Sequence, residues 1–341
     1  MAKKLFLVVG NGFSIDFLNH IGASSKIDVI DLFKQGAEVP WPITEVPGFL
    51  SFKYCPNLWS LGARPGMDRR AGLDLIEDII SCANIDASRT RTGGVSNQQN
   101  IYGKAYKELV QYLRFLFIYY DGLEEVSDKG NDWCWLGFIR GCVDSKEYEE
   151  IVIVSYNYDC WLERVLEENK IPFKIGSIDK NDKAKKIVIL KPHGSISFIH
   201  KEELDQASYS ISYERELSDG SIGDFSAKYH NLGRNHLVTA LIPPAGESSR
   251  FSHTWSTQLR AEAKAKAAQM GEGDEVMVCG MSYWHVDRSE LDELFNSFGS
   301  NVEISMVNPN ADRTLTAVLT SSFKNFVLYP SASVLKTKKF K

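Results

Sequence analysis

Several absences narrow the possibilities for this chain. Its six cysteines, at positions 55, 82, 134, 142, 160 and 279, include no pair in CxxC spacing. Neither a structural zinc site nor a disulfide framework is therefore indicated, and reduced thiols in a cytoplasmic protein are expected. No apolar run approaches the ~18–20 residues that span a bilayer. The run that follows Lys3-Lys4 is too short for a signal sequence and passes directly into glycine. Positive charge is not in excess: 39 Lys and Arg against 44 Asp and Glu leave a formal charge of −5, so no nucleic-acid-binding surface is expected. The basic end, KTKKFK, is expected to be a solvated, frayed tail. There is no internal repeat.

The remaining composition is that of a globular protein. At 341 residues the chain is ample for a buried core and long enough for one large domain with an insertion, or two domains. Strand-like runs recur at Leu5–Val9, Ile151–Ser155, Ile187–Leu190, Leu237–Ile242, Glu275–Cys279, Val302–Val307 and Phe326–Tyr329. Helical patterns fall between them at Cys160–Asn169, Arg288–Phe298 and Asn310–Phe323, the second opened by Asp287 with Glu290 three residues on. This alternation implies an α/β fold with a parallel, helix-flanked sheet.

Residues 36–149 differ in character. Positions 36–66 show little periodicity, Gly72–Ala83 and Gly103–Tyr120 read as helices, and Trp133, Trp135, Leu136 and Phe138 mark another. Polar Ser88–Asn100 is expected to be a mobile loop. We expect a mostly helical insertion capping the ligand edge of a domain built from 1–35 and 150–341. A further insertion, His200–Gly233, carries an alternation at Ser208–Tyr213 that suggests a small hairpin.

The chemistry gathers at strand ends, where parallel α/β sheets bind their ligands. IVIVSYNYD delivers Asn157 and Asp159, and the run Ile187–Leu190 ends in Lys191-Pro192-His193-Gly194. A carboxamide, a carboxylate and an imidazole can hold a ribose, orient a leaving group and handle a proton. Asp159 has a plainer role open to it, as N-cap of the helix that begins at Cys160. The first strand passes into Gly10-Asn11-Gly12-Phe13-Ser14, where glycines let backbone N–H groups approach a pyrophosphate at a helix N-terminus. The dehydrogenase fingerprint needs a third glycine where Ile15 stands. Asp28 and Asp31 fall roughly where a ribose-binding acid would, and Asp16 reads as compensation for the helix dipole.

Together these motifs resemble the SIR2-like family, the sirtuin fold of bacterial NAD-consuming defence proteins. The GAGxS turn has its counterpart in Gly10–Ser14, and TQNxD in Ser155-Tyr156-Asn157-Tyr158-Asp159. The HG dipeptide matches His193-Gly194, the GTS turn Gly280-Met281-Ser282, and the strand-ending Asn near the adenine ribose Asn308. The resemblance covers residues 1–20 and about 150–310. It implies a Rossmann-like sheet with NAD+ as substrate. Asn157, Asp159 and His193 would be catalytic, and Gly10, Asn11, Gly12, Phe13, Ser14, Gly194, Gly280, Ser282 and Asn308 would bind the dinucleotide. Deacylases of this family carry a zinc domain held by two CxxC pairs, which this chain lacks, so no metal is expected. The reaction implied is hydrolysis of the nicotinamide–ribose bond by an anti-phage effector that depletes NAD+. Such an effector would be a homo-oligomer or work with a partner ATPase, nucleotide-binding or Argonaute-type protein. The alternatives are an NAD-dependent deacylase or ADP-ribosyltransferase, and a non-catalytic scaffold that senses NAD or ADP-ribose.

Overall fold

Leu5–Val9 is completely buried, as a strand with neighbours on both edges and packing on both faces must be. The computed structural model describes residues 2–91, 100–123, 130–179, 185–213, 220–243, 253–283, 288–338 and 340. In chain order the strands are β1 (Lys3–Val9), β2 (Tyr148–Ser155), β3 (Phe173–Ile175), β4 (Ile187–Leu190), β5 (Gly194–His200), β6 (Phe225–Ala227), β7 (Thr239–Leu241), β8 (Glu275–Cys279), β9 (Glu303–Val307) and β10 (Asn325–Tyr329). Seven of them form one sheet in the order β10-β9-β8-β1-β2-β4-β3, every neighbouring pair parallel. The sheet is Rossmann-like. Its order reverses at β1, the kind of position at which parallel α/β sheets bind ligands beyond their carboxyl ends.

The other three strands form an antiparallel sheet, β6-β5-β7. The Leu237–Ile242 run thus contributes β7 beside β5 and is not a member of the main sheet. The expected hairpin at Ser208–Tyr213 does not form either. Tyr209 is drawn into the helical segment, its ring 5.1 Å from Trp41 and 5.4 Å from Phe115, and its hydroxyl donates to Gln111 Oε1 at 3.1 Å.

Helices flank the main sheet: α1 (Asn11–His20), then the segment holding α2 (Pro56–Ser60), α3 (Arg69–Arg91), α4 (Ile101–Leu123) and α5 (Cys134–Asp144), and later α6 (Trp161–Glu168), α7 (Thr254–Ala267), α8 (Arg288–Phe295) and α9 (Arg313–Ser322). Ser88–Arg91, expected in a loop, is the last turn of α3; residues 92–99 of that loop lie outside the described residues. The helical segment and the sheet share one hydrophobic cluster, with Tyr112, Leu116 and Trp135 buried in the same core as β1 and β2. α4 packs on β5, which continues from the end of β4, and on its neighbour β7.

Lys338 and Phe340, expected in a frayed tail, are docked. Lys338 Nζ bonds Glu275, which also takes Lys3 and the Tyr148 hydroxyl, and the Phe340 ring occupies the space a side chain at Gly141 would need. An ion pair and an aromatic contact outweigh the freedom of these residues. No helix among the described residues is long and apolar enough to cross a membrane.

Candidate functional site

The ends of β1, β8, β2 and β4 converge with α1 on the carboxyl edge of the sheet. The turn after β1 is pinned to the end of β8, Gly10 N donating to Cys279 O and Gly12 N to Gly280 O, each at 3.0 Å. The two glycines meet backbone to backbone: a Cβ on Gly12 would lie 2.5 Å from Gly280 Cα, and one on Gly280, at φ +60°, would lie 2.4 Å from Phe13 N. Close strand-end packing therefore demands these glycines, independently of any phosphate. The first-turn N–H groups of Gly12 and Phe13 are both engaged within the protein, by Gly280 O and Gly10 O.

Ser14, on the buried side of α1, links the residues that follow β2. Its hydroxyl donates to Asp159 Oδ2 at 2.6 Å and accepts from Asn157 Nδ2 at 2.8 Å. Asn157 Nδ2 also donates to Gly10 O at 2.9 Å. Both amide N–H groups are thereby used, and a carbonyl acceptor at Gly10 fixes the orientation of the amide. Oδ1 is the atom on which acceptor capacity remains.

Asp159 fills two roles at once. Oδ2 takes the Ser14 hydroxyl, and Oδ1 accepts from Trp161 N at 3.3 Å in the first turn of α6, whose N-cap residue is Cys160. Burial pushes its carboxyl above the usual range, opposed by the nearby Lys191 charge and the Ser14 hydrogen bond. Lys191, at the end of β4, points back toward this group. Its Nζ bonds the Asp159 carbonyl and lies 2.8 Å from Glu163 Oε1, in an ion pair whose side chains are 1% and 3% exposed.

His193 occupies the turn between β4 and β5. Gly194 is at φ +85°, where a Cβ would strike Ala240 O at 1.9 Å, so only glycine lets β5 turn against β7 here. Ile242 N holds the His193 carbonyl at 3.0 Å, and the Tyr156 ring meets the imidazole edge-on at 4.9 Å. Nε2 of His193 lies 3.1 Å from Glu290 Oε2 of α8, and Arg260 of α7 reaches the same oxygen at 3.1 Å. A cavity of about 330 Å³ lies between α4 and β7, lined by Leu241, the register partner of Gly194, and by Lys107, Gln111 and His253.

Other sequence-selected residues are placed differently. The Phe13 ring lies between Trp133 and Trp135, 4.9 and 5.2 Å away, and belongs to the core. Asn11 is exposed and donates to Val29 O at 3.0 Å. Ser282 is exposed, while half-buried Asn308 donates to Met281 O at 3.3 Å and accepts from Asn310 N at 3.1 Å. Asp28 accepts from Ile30 N and Asp31 N and pairs with Lys34, closing its own loop. Asp16, expected to offset the helix dipole, takes the Trp133 indole N–H at 2.8 Å. Asp287 lies outside the described residues.

Lys191, Glu163, Glu290 and Arg260 carry no signal of a functional role in the sequence beyond being charged next to apolar positions. Among the described residues no group of three or more His, Cys, Asp or Glu could hold a metal ion. No protein-family model matches this chain, and no curated protein matches its sequence.

Proposed function

We propose that the chain is an NAD+ glycohydrolase of SIR2-like type, which cleaves the nicotinamide–ribose bond with water to release nicotinamide, ADP-ribose and a proton. The observation that carries this reading is the hydrogen-bonded trio Ser14, Asn157 and Asp159 at the carboxyl ends of β1 and β2, beside the turn that holds His193. Loss of a cationic pyridinium passes through an oxocarbenium-like state, so the protein needs positioned dipoles and charge more than a nucleophile. Asn157 Oδ1 accepts from a ribose hydroxyl or the attacking water. Asp159, fixed by Ser14, orients Asn157 or the leaving carboxamide. His193 takes a proton from the water or a ribose hydroxyl. The β1–α1 turn with Ser282 and Asn308 serves the phosphates and the adenine ribose. In the cell this activity would drain NAD+ during phage infection, with assembly or a partner protein controlling access.

Incubation with NAD+ and quantification of nicotinamide and ADP-ribose tests the reading. Asn157→Ala and His193→Ala are each expected to lower turnover by about 10²–10⁴-fold with little change in melting temperature. A folded variant that keeps more than half of wild-type turnover would remove its residue from the chemistry. The depth of the cluster, with Asn157 8% and His193 4% exposed, favours one second reading, a scaffold that binds NAD or ADP-ribose without cleaving it. Calorimetric binding with no product would select that reading.

A further inference from the structure

Elements far apart in the chain place a carboxylate and a guanidinium behind His193. We propose that Glu290 and Arg260 are positioning residues for His193: Glu290 fixes the proton on Nε2, leaving Nδ1 as the working atom, and Arg260 holds the Glu290 carboxylate in place. The inference rests on the reading of His193 as the base of the proposed hydrolysis.

Glu290 Oε2 stands 3.1 Å from Nε2, and an ionised carboxylate only accepts. The nitrogen facing it must carry the proton, and the lone pair of the neutral ring lies on Nδ1. The Arg260 guanidinium sits 3.1 Å from the same oxygen in an ion pair without hydrogen-bond geometry, so positive charge from α7 faces the carboxylate while it contacts the turn after β4. His193 and Glu290 are more than nine-tenths buried and the Arg260 side chain is 14% exposed, so solvent screens this contact little. The remaining neighbours keep the ring in one orientation without competing for Nε2. The Tyr156 ring meets its edge, Ile242 N holds its carbonyl, and Lys191 on the same turn is directed to Asp159 and Glu163. A base held by a carboxylate in this way has a defined tautomer and a defined direction, both of which proton transfer requires.

The test uses the full chain labelled with ¹⁵N in its histidine rings, the His193 signals being identified by their loss in His193→Gln. Long-range ¹H–¹⁵N spectra should show wild-type His193 as the Nε2–H tautomer. Glu290→Leu, and the double variant Glu290→Leu/Arg260→Met that leaves no buried guanidinium behind, should show averaged tautomers. Their kcat for NAD+ should fall by about a hundredfold with KM little changed. Glu290→Gln, which keeps a carbonyl acceptor, should restore the Nε2–H form and most of kcat. An Nδ1–H tautomer in the wild type, or an unchanged tautomer in the double variant, overturns the inference. The spectra do not depend on turnover. Absence of NAD+ cleavage beside a tautomer that responds to Glu290 would reject the hydrolase reading and keep the contact, and cleavage with an indifferent tautomer would do the reverse.

Discussion

Ser14 gives its hydroxyl proton to Asp159 across 2.6 Å, joining the first helix of the chain to the end of its second strand. Because the same oxygen accepts from Asn157, one small side chain holds both polar groups that follow β2. Ser14→Ala leaves a buried carboxylate oxygen and a buried amide each short of a partner. The expected cost is about 1–3 kcal/mol in urea unfolding, with turnover falling together with that of Asn157 variants. Ser14→Thr keeps the hydroxyl and should retain most of both. Unchanged stability and turnover in Ser14→Ala would show that the hydroxyl is incidental.

The contact between Gly12 and Gly280 makes a structural prediction where the glycine turn alone suggests a ligand effect. Gly12→Ala forces a methyl against backbone that cannot yield, and a destabilisation of about 1–3 kcal/mol or more is expected. Gly103→Ala, early in α4 with open space around it, serves as the control and should be neutral or slightly stabilising. Equal melting temperatures for the two variants would mean that the strand ends part easily.

Two carboxyls should bend the pH–stability curve in opposite directions. Burial alone would raise the Glu275 carboxyl, but hydrogen bonds from Lys3 and Lys338 outweigh it and hold the group below its ordinary 4.5. Its stabilising contribution is present above that value and is lost as pH falls through the folded-state value. Asp159 is raised above 3.8 by burial, so its contribution favours folding at low pH and is lost as pH rises through the folded-state value. Glu275→Gln should therefore flatten the loss of stability on acidification. Asp159→Asn should melt higher than wild type at pH 7–8 while losing NAD+ cleavage. A lower melting temperature for Asp159→Asn would show that Lys191 and Ser14 stabilise the charge more than burial opposes it.

Docking of Lys338 and Phe340 gives a fourth expectation. Truncation after Thr337 removes the Glu275 contact and exposes Gly141 and Phe138, at a cost of about 1–3 kcal/mol. Thermal unfolding of the truncated chain measures it. No shift would mean that the contact forms only transiently.

Much of the main sheet is legible in sequence because strands packed on both faces need unbroken apolar runs, as in β1, β2 and β4. β5 is not legible. Ser195 and Ser197 alternate with Ile196 and Phe198 as in a half-exposed strand, yet all four are buried, the two hydroxyls 2.8 Å apart. At the site, Asn157, Asp159 and His193 are visible as polar residues directly after apolar strands. Ser14 is visible too, but only packing shows it turned to Asn157 and Asp159. Phe13, next to it, faces the core. Glu163, Arg260 and Glu290 lie on helices, where charged residues normally face water; their burial follows from what those helices pack against, and no local pattern encodes it.

β1 is the first strand in the chain and the middle strand of the sheet. Its Leu5 pairs with Ile151 of β2 on one side and Glu275 of β8 on the other, and the backbone of Lys4 bonds Asp274, 270 residues away. A chain emerging in order from the ribosome thus makes its central strand long before either neighbour exists. β2 arrives after the helical segment, and β8 only some 270 residues after β1. Non-local closure of this kind is slow, and an unpaired apolar strand is prone to wrong pairings while it waits. Because the glycine turn packs on Gly280, that contact can form only after β8 has been made.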